Sequence, residues 1–104
     1  MPKLPVDTLK VRSQAYTLDG VVTNDLSSQE TIGRFNPWSN VITYPSNSPE
    51  CRQAEILCHE AVHAMLAGYG IEDEVVATTL GEALPLFLAD NPRFIKWVQK
   101  VVVS

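Results

Sequence analysis

Ile56-Leu57-Cys58-His59-Glu60-Ala61-Val62-His63-Ala64-Met65-Leu66 is the stretch on which the reading of this chain turns. Two histidines four residues apart share one face of a helix, with Cβ atoms about 6 Å apart, so both imidazoles can reach one metal ion. Glu60 falls one position further round, beside the place where water sits on such an ion, and so suits a general base rather than a ligand. The chain has only two histidines, and both are here. From Ile56 to Ala67 these three are the only strongly polar side chains, so the helix is apolar nearly all round and is expected to be buried. Burying two imidazoles and a carboxylate without partners costs on the order of 1–3 kcal/mol for each group. A Zn2+ ion removes that cost, whereas a metal-free helical fold with two core histidines leaves it standing.

Length and composition bound the rest. A chain of 104 residues is expected to form one domain spanning 1–104. It is long enough to bury roughly two-thirds of its unfolded surface without a covalent staple. Hydrophobic residues make up 45% and charged residues 19%, as in a soluble globular protein. A net charge of −4 argues against a nucleic-acid partner, which calls for a basic patch. Met1 to Asp7 has no apolar core of signal-peptide length, and no stretch approaches the ~20 apolar residues of a membrane span. A cytoplasmic protein with no membrane partner is expected. Cys51 and Cys58 share the predicted helix seven positions apart. About 10.5 Å of helix rise separates them, too far for a disulfide, and free thiols fit a reducing compartment. Cys58 points about 100° away from His59 and is not expected on the metal.

Ahead of the helix, strand signals dominate. Thr8-Leu9-Lys10-Val11-Arg12 and Ala15-Tyr16-Thr17-Leu18 flank a turn at Ser13-Gln14 and stop at Asp19-Gly20, a first hairpin. Residues 23–30 are polar and read as a surface loop. Thr31-Ile32-Gly33-Arg34-Phe35 and Asn40-Val41-Ile42-Thr43-Tyr44 flank Asn36-Pro37-Trp38-Ser39, a second hairpin, with Gly33 marking a bulge or close approach. Ser48 suits the N-cap and Pro49 the first position of the metal helix, which then runs from about Pro49 to Ala67 and ends at Gly68-Tyr69-Gly70.

A second helix is predicted from about Glu72 to Ala89, its acidic start favoured by the helix dipole. Val76, Leu80, Ala83, Leu84 and Phe87 make its apolar face, and Glu74, Thr78 and Glu82 a polar stripe. That stripe reads either as a solvated face or as one that aims Glu74 at the metal. Pro85 should kink or split the helix, although Gly81 four residues earlier relieves part of the clash. Asp90-Asn91-Pro92 opens a short third helix with Phe94, Trp97, Val98 and Val101 as an apolar stripe.

Taken together, His59-Glu60-Ala61-Val62-His63-Ala64, the glycine loop, Glu74-Val75-Val76, Leu80 and Asp90-Asn91-Pro92 resemble the small phage and prophage metallopeptidase-like proteins related to the ImmA/IrrE zincin group. The strands with Gly33 and Val41-Ile42 are similar too, so the likeness covers most of the chain. The resemblance implies that a glutamate of the following helix completes a zinc site with His59 and His63, which maps onto Glu74. Glu72 and Asp73 stand next to it as alternatives, and Asp73 projects closer to the second helix's apolar face. Pro85 departs from the smooth second helix of such proteins. The likeness also implies residence in the cytoplasm of a bacterial host.

The fold expected is α+β, a minimal zincin-like domain in which a small antiparallel sheet covers a buried metal helix backed by two further helices. Three protein ligands leave one zinc position for water, as in catalytic sites. The expected function is a zinc-dependent metallopeptidase hydrolysing peptide bonds of a protein or peptide substrate through a zinc-activated water, with Glu60 as general base. The substrate is expected to add as a strand near Gly33-Arg34-Phe35. Tyr44, Tyr69 and Arg34 are polar candidates for the oxyanion. The alternative is a zinc-binding phage accessory or interaction domain without significant turnover. Glu60 speaks against that alternative, since a structural site needs no base.

Overall fold

A computed structural model describes residues 4–22, 34–36 and 38–102 of the chain. Four strands, β1 (Thr8–Val11), β2 (Gln14–Val21), β3 (Arg34–Asn36) and β4 (Val41–Pro45), precede three helices, α1 (Glu50–Ala67), α2 (Glu74–Asp90) and α3 (Pro92–Val101). Strand signals followed by helix signals thus fold as α+β. The loop reading of residues 23–30 and the bulge at Gly33 lie outside the described residues.

The strands form one sheet in the order β1-β2-β4-β3. β1 pairs antiparallel with β2, and β3 with β4, as two hairpins require. The all-antiparallel sheet expected from the sequence is corrected where the hairpins meet. There β2 and β4 run parallel, from Thr17 beside Val41 to Val21 beside Pro45. Turn chemistry sets direction only within a hairpin; which strands of two hairpins meet is decided by the face they must jointly bury. Val11, Tyr16 and Ile42 fall on one side of the sheet and pack with Leu57 and Ala64 of α1 into the core. β2 also continues through Asp19-Gly20, where the sequence predicts a break. Gly20 lies opposite Tyr44, and a Cβ there would meet the Tyr44 hydroxyl at 2.9 Å, so the missing side chain lets that ring lie across β2.

The first hairpin turns on Arg12-Ser13, one residue earlier than predicted, with φ of 52° and 70°. Two left-handed residues suit the twist of a two-residue hairpin but ordinarily call for Asn-Gly. The Arg12 guanidinium lies 4.6 Å from the centre of the Tyr69 ring. Gly68 leaves room for the same side chain, which would overlap any Cβ there. The hairpin tip is thereby held against the end of α1.

The entry to α1 differs from the expected Ser48 cap. Pro49 is the N-cap residue and provides no side-chain acceptor. The buried Ser48 hydroxyl instead donates to the Pro45 carbonyl at 2.8 Å. Gln53, buried on the first turn, donates its amide to the carbonyls of Ser46 and Ser48 at 3.2 and 2.8 Å and ties the connection to the helix. At the other end Gly70 takes φ +72°, while the Gly70 and Ile71 N–H groups donate to the carbonyls of Ala67 and Leu66. This double hydrogen bond satisfies the last orphan carbonyls and turns the chain towards α2.

α2 runs through Pro85 as one helix, so of the kink or split predicted there the split does not occur. The proline ring presses on the residue four positions earlier, and that residue is Gly81, which has no side chain to add to the clash. The buried face of α2 is also rotated from the predicted one: Ala77 and Gly81 are buried, whereas Leu80 and Phe87 are 38% and 46% exposed. Packing against the histidine side of α1 selects the smallest residues of α2, not the most apolar. α3 packs on α2 alone among the described elements. No described helix is long and apolar enough to cross a membrane.

Ser13→Gly should raise stability by about 0.5–1 kcal/mol, because the exposed turn residue then holds φ > 0 without a Cβ penalty, partly offset by glycine's larger unfolded-state freedom. Urea denaturation of the variant beside the parent checks this.

Candidate metal centre

Two adjacent rows of α1 build the site. Gln53, Leu57, Glu60 and Ala64 recur at helical spacing and are buried, with Leu57 and Ala64 against the sheet. His59 and His63 stand on the neighbouring row and face α2. The approach of the two helices is closest at Gly81, where an added Cβ would come within 2.8 Å of His59 Cβ, 3.0 Å of its Cα and 3.1 Å of its backbone nitrogen. Ala77, one turn before Gly81, is fully buried at the same crossing.

That approach brings Glu74, the first residue of α2, onto the histidines. Its Oε1 lies 2.9 Å from His59 Nε2 and its Oε2 2.8 Å from His63 Nε2. The two rings are 4.9 Å apart at 61°. A carboxylate only accepts hydrogen bonds, so each ring donates an Nε2–H to it. Thr78, one turn along α2, donates its hydroxyl to Glu74 Oε1 at 3.3 Å. The ligand atoms of His59, His63 and Glu74 all lie within 4.8 Å of one another. Tetrahedral bonds of 2.0–2.2 Å need donors about 3.3 Å apart, so the three residues fit an ion once Glu74 draws back by roughly half an ångström and the two Nε2 protons leave. Glu74 is mostly exposed at the helix start, so that movement meets little resistance.

Glu60 is placed differently. It is buried, and its Oε2 makes no hydrogen bond among the described residues. Burial pushes its carboxyl above the usual carboxylate range; His59 and His63 draw it down and Glu74 pushes it up, so all three site residues act on it. An unsatisfied buried oxygen costs on the order of 1–3 kcal/mol, and this one belongs to a carboxyl that feels the charge of both imidazoles and of Glu74.

The other candidates sort by their contacts. Asp73 is the N-cap of α2, its side chain accepting the Val76 N–H at 3.1 Å, so its carboxylate is turned into the helix start. It therefore does not project from the apolar face as the sequence suggests. Glu72 precedes the helix and Glu82 lies two turns on; neither joins the cluster. Cys58 is a free, half-buried thiol whose pKa is raised by burial, and Cys51 is free and exposed. Tyr44 packs over Gly20 and Tyr69 under Arg12. Arg34 begins β3 at the sheet edge. Sequence reasoning had no role for Gly81 beyond easing Pro85, although Ala77-x-x-x-Gly81 is the small-residue spacing of a close helix crossing and Glu74 falls three residues before Ala77, on the same face.

Gly81→Ala should destabilise the fold by about 1–3 kcal/mol despite alanine's better helix propensity, because the contact atoms are His59 Cβ and the α1 backbone, none of which can swing aside, and α2 must move. Thermal or urea unfolding measures the loss, and an unchanged or raised stability would remove this contact from the account. No family model, curated protein or solved structure matches the chain.

Proposed function

We propose that the chain binds Zn2+ through His59, His63 and Glu74 and hydrolyses peptide bonds, with Glu60 as general base. One observation carries this reading: a buried carboxylate, one oxygen of which has no partner among the described residues, accompanies a His-His-Glu group whose ligand atoms are close enough together to hold an ion. The resemblance to the small phage and prophage zincins supports it, and free cysteines fit the bacterial cytoplasm such proteins occupy. Zinc, when bound, polarises a carbonyl and lowers the pKa of water to about 7.

The chain's own residues do the rest. His59 and His63 offer neutral imidazole nitrogens, and Glu74 offers a negative charge that offsets half of the ion's. Glu60 holds a proton more readily than an exposed glutamate because burial raises its pKa, which suits a group that takes a proton from water and passes it to the leaving amine. β3 is the outermost described strand on its side of the sheet and packs against α1, so an extended peptide added along that edge would be carried towards α1 and its histidines. The zinc-binding accessory domain stays the second reading, favoured by the apolar residues exposed along α2 and α3.

Metal analysis of purified protein should find about one zinc per chain. His63→Ala should abolish it, and Glu74→Ala should weaken binding by more than the roughly 10–100-fold cost of losing an outer-shell partner. Glu72→Ala and Glu82→Ala should bind as the parent does. A parent that stays metal-free in added zinc would sink the reading, and equal affinity for Glu74→Ala would move the third ligand elsewhere.

Glu60→Gln should keep its zinc and lose at least about 100-fold in cleavage of a peptide library followed by mass spectrometry, the usual contribution of a positioned base. Equal cleavage by parent and variant would take Glu60 out of the mechanism. A zinc-loaded parent that cleaves nothing in a broad library would favour the accessory domain.

A further inference from the structure

Glu74 is the least constrained member of the candidate site. Its side chain is 70% exposed at the start of α2, whereas those of His59 and His63 are held on α1 at 26% and 18% exposure. A long acidic side chain loses much rotamer freedom on being fixed, so a glutamate that ligates from such a position needs a group to hold it.

Three donors reach its carboxylate among the described residues: His59 Nε2 at 2.9 Å, His63 Nε2 at 2.8 Å and the Thr78 hydroxyl at 3.3 Å. Two of these are lost on ligation, because an imidazole that ligates through Nε2 has no proton there to give. Thr78 is the donor that remains. Its hydroxyl is also turned in an uncommon direction. A threonine inside a helix ordinarily hydrogen-bonds the backbone carbonyl three or four residues back. The residue four back is Glu74, and the Thr78 hydroxyl donates to that residue's carboxylate instead. Residues four apart share a helix face, so the pairing is built into α2 and does not depend on how α2 sits on α1. A neutral hydroxyl is not among the ordinary zinc donors, so Thr78 can act on an ion only through Glu74.

We propose that Thr78 is a positioning residue of the metal centre, keeping the Glu74 carboxylate turned towards the two imidazoles when their Nε2 protons have gone. The proposal rests on the zinc reading above. It separates Thr78 from Glu82, the other companion of Glu74 on the polar stripe of α2, which does not join the cluster.

Zinc affinity of the full chain, measured by competition with a chromophoric chelator at fixed pH, tests this without any substrate. Thr78→Val keeps the β-branched shape and removes the donor, and should weaken binding about tenfold, the lower end of the range for outer-shell partners because the bond is exposed. Thr78→Ser restores the hydroxyl and should bind as the parent does. Thr79→Val removes a hydroxyl about 100° round α2 and should also match the parent. In a Glu74→Ala chain, Thr78→Val should cost nothing further, since the carboxylate it acts through is gone. Parent-like affinity in Thr78→Val overturns the proposal, and so does a Thr78→Ser variant as weak as Thr78→Val, or an equal loss from Thr78→Val with and without Glu74. In each of these cases the zinc reading itself stands, whereas a parent that takes up no zinc overturns both.

Discussion

The separation of α1 and α2 at Gly81 governs the rest of the candidate site. Gly81 rests against the backbone of His59, so the two helix axes can come no nearer and, with any larger residue, would stand further apart. Glu74 lies two turns back along α2 from that contact and reaches both imidazoles only at this spacing. A glutamate side chain has limited reach, and an ångström added at the crossing is of the same size as the margin that separates ligation from mere proximity. The residue with the least chemistry of its own sets the geometry of those that have most.

The His-Glu-x-x-His helix was legible in the sequence because its signal is local. Spacing, the two histidines and the apolar surroundings all lie within one stretch, and turn residues, glycines and prolines punctuate the chain close to where the elements begin and end. What stayed hidden depends on contacts between elements. Nothing within either hairpin says that β2 meets β4 in parallel, since that pairing answers to the face α1 covers. The buried side of α2 could not be read from hydrophobicity, because a histidine-bearing neighbour admits Ala77 and Gly81 and turns Leu80 and Phe87 outward. Ser48 looked like a cap by residue type, yet Gln53 does the work from inside the helix, a role side-chain length makes possible and no motif announces.

α1 is asymmetric in a way that suits a reactive centre. Its Leu57–Ala64 row is cemented to the sheet, whereas the histidine row is only half-buried and meets a helix whose own packing rests on small residues. Two of the three proposed ligands and the proposed base therefore ride on the best-anchored helix. The third proposed ligand comes from the more exposed one, which is where movement on binding is least costly.

The Asp73 cap has a consequence for how the chain tolerates change in length. By accepting the Val76 N–H, Asp73 fixes which residue begins α2, and each residue gained or lost there would rotate the helix start by about 100°. Surface connections ordinarily absorb insertions and deletions with little effect. The short link from Gly70 to Asp73 cannot, because an indel that leaves α1 and the Gly81 contact untouched would still swing Glu74 away from the histidines. Exposed as it is, this link behaves as part of the site's register, as intolerant of a single added residue as the interior of a strand.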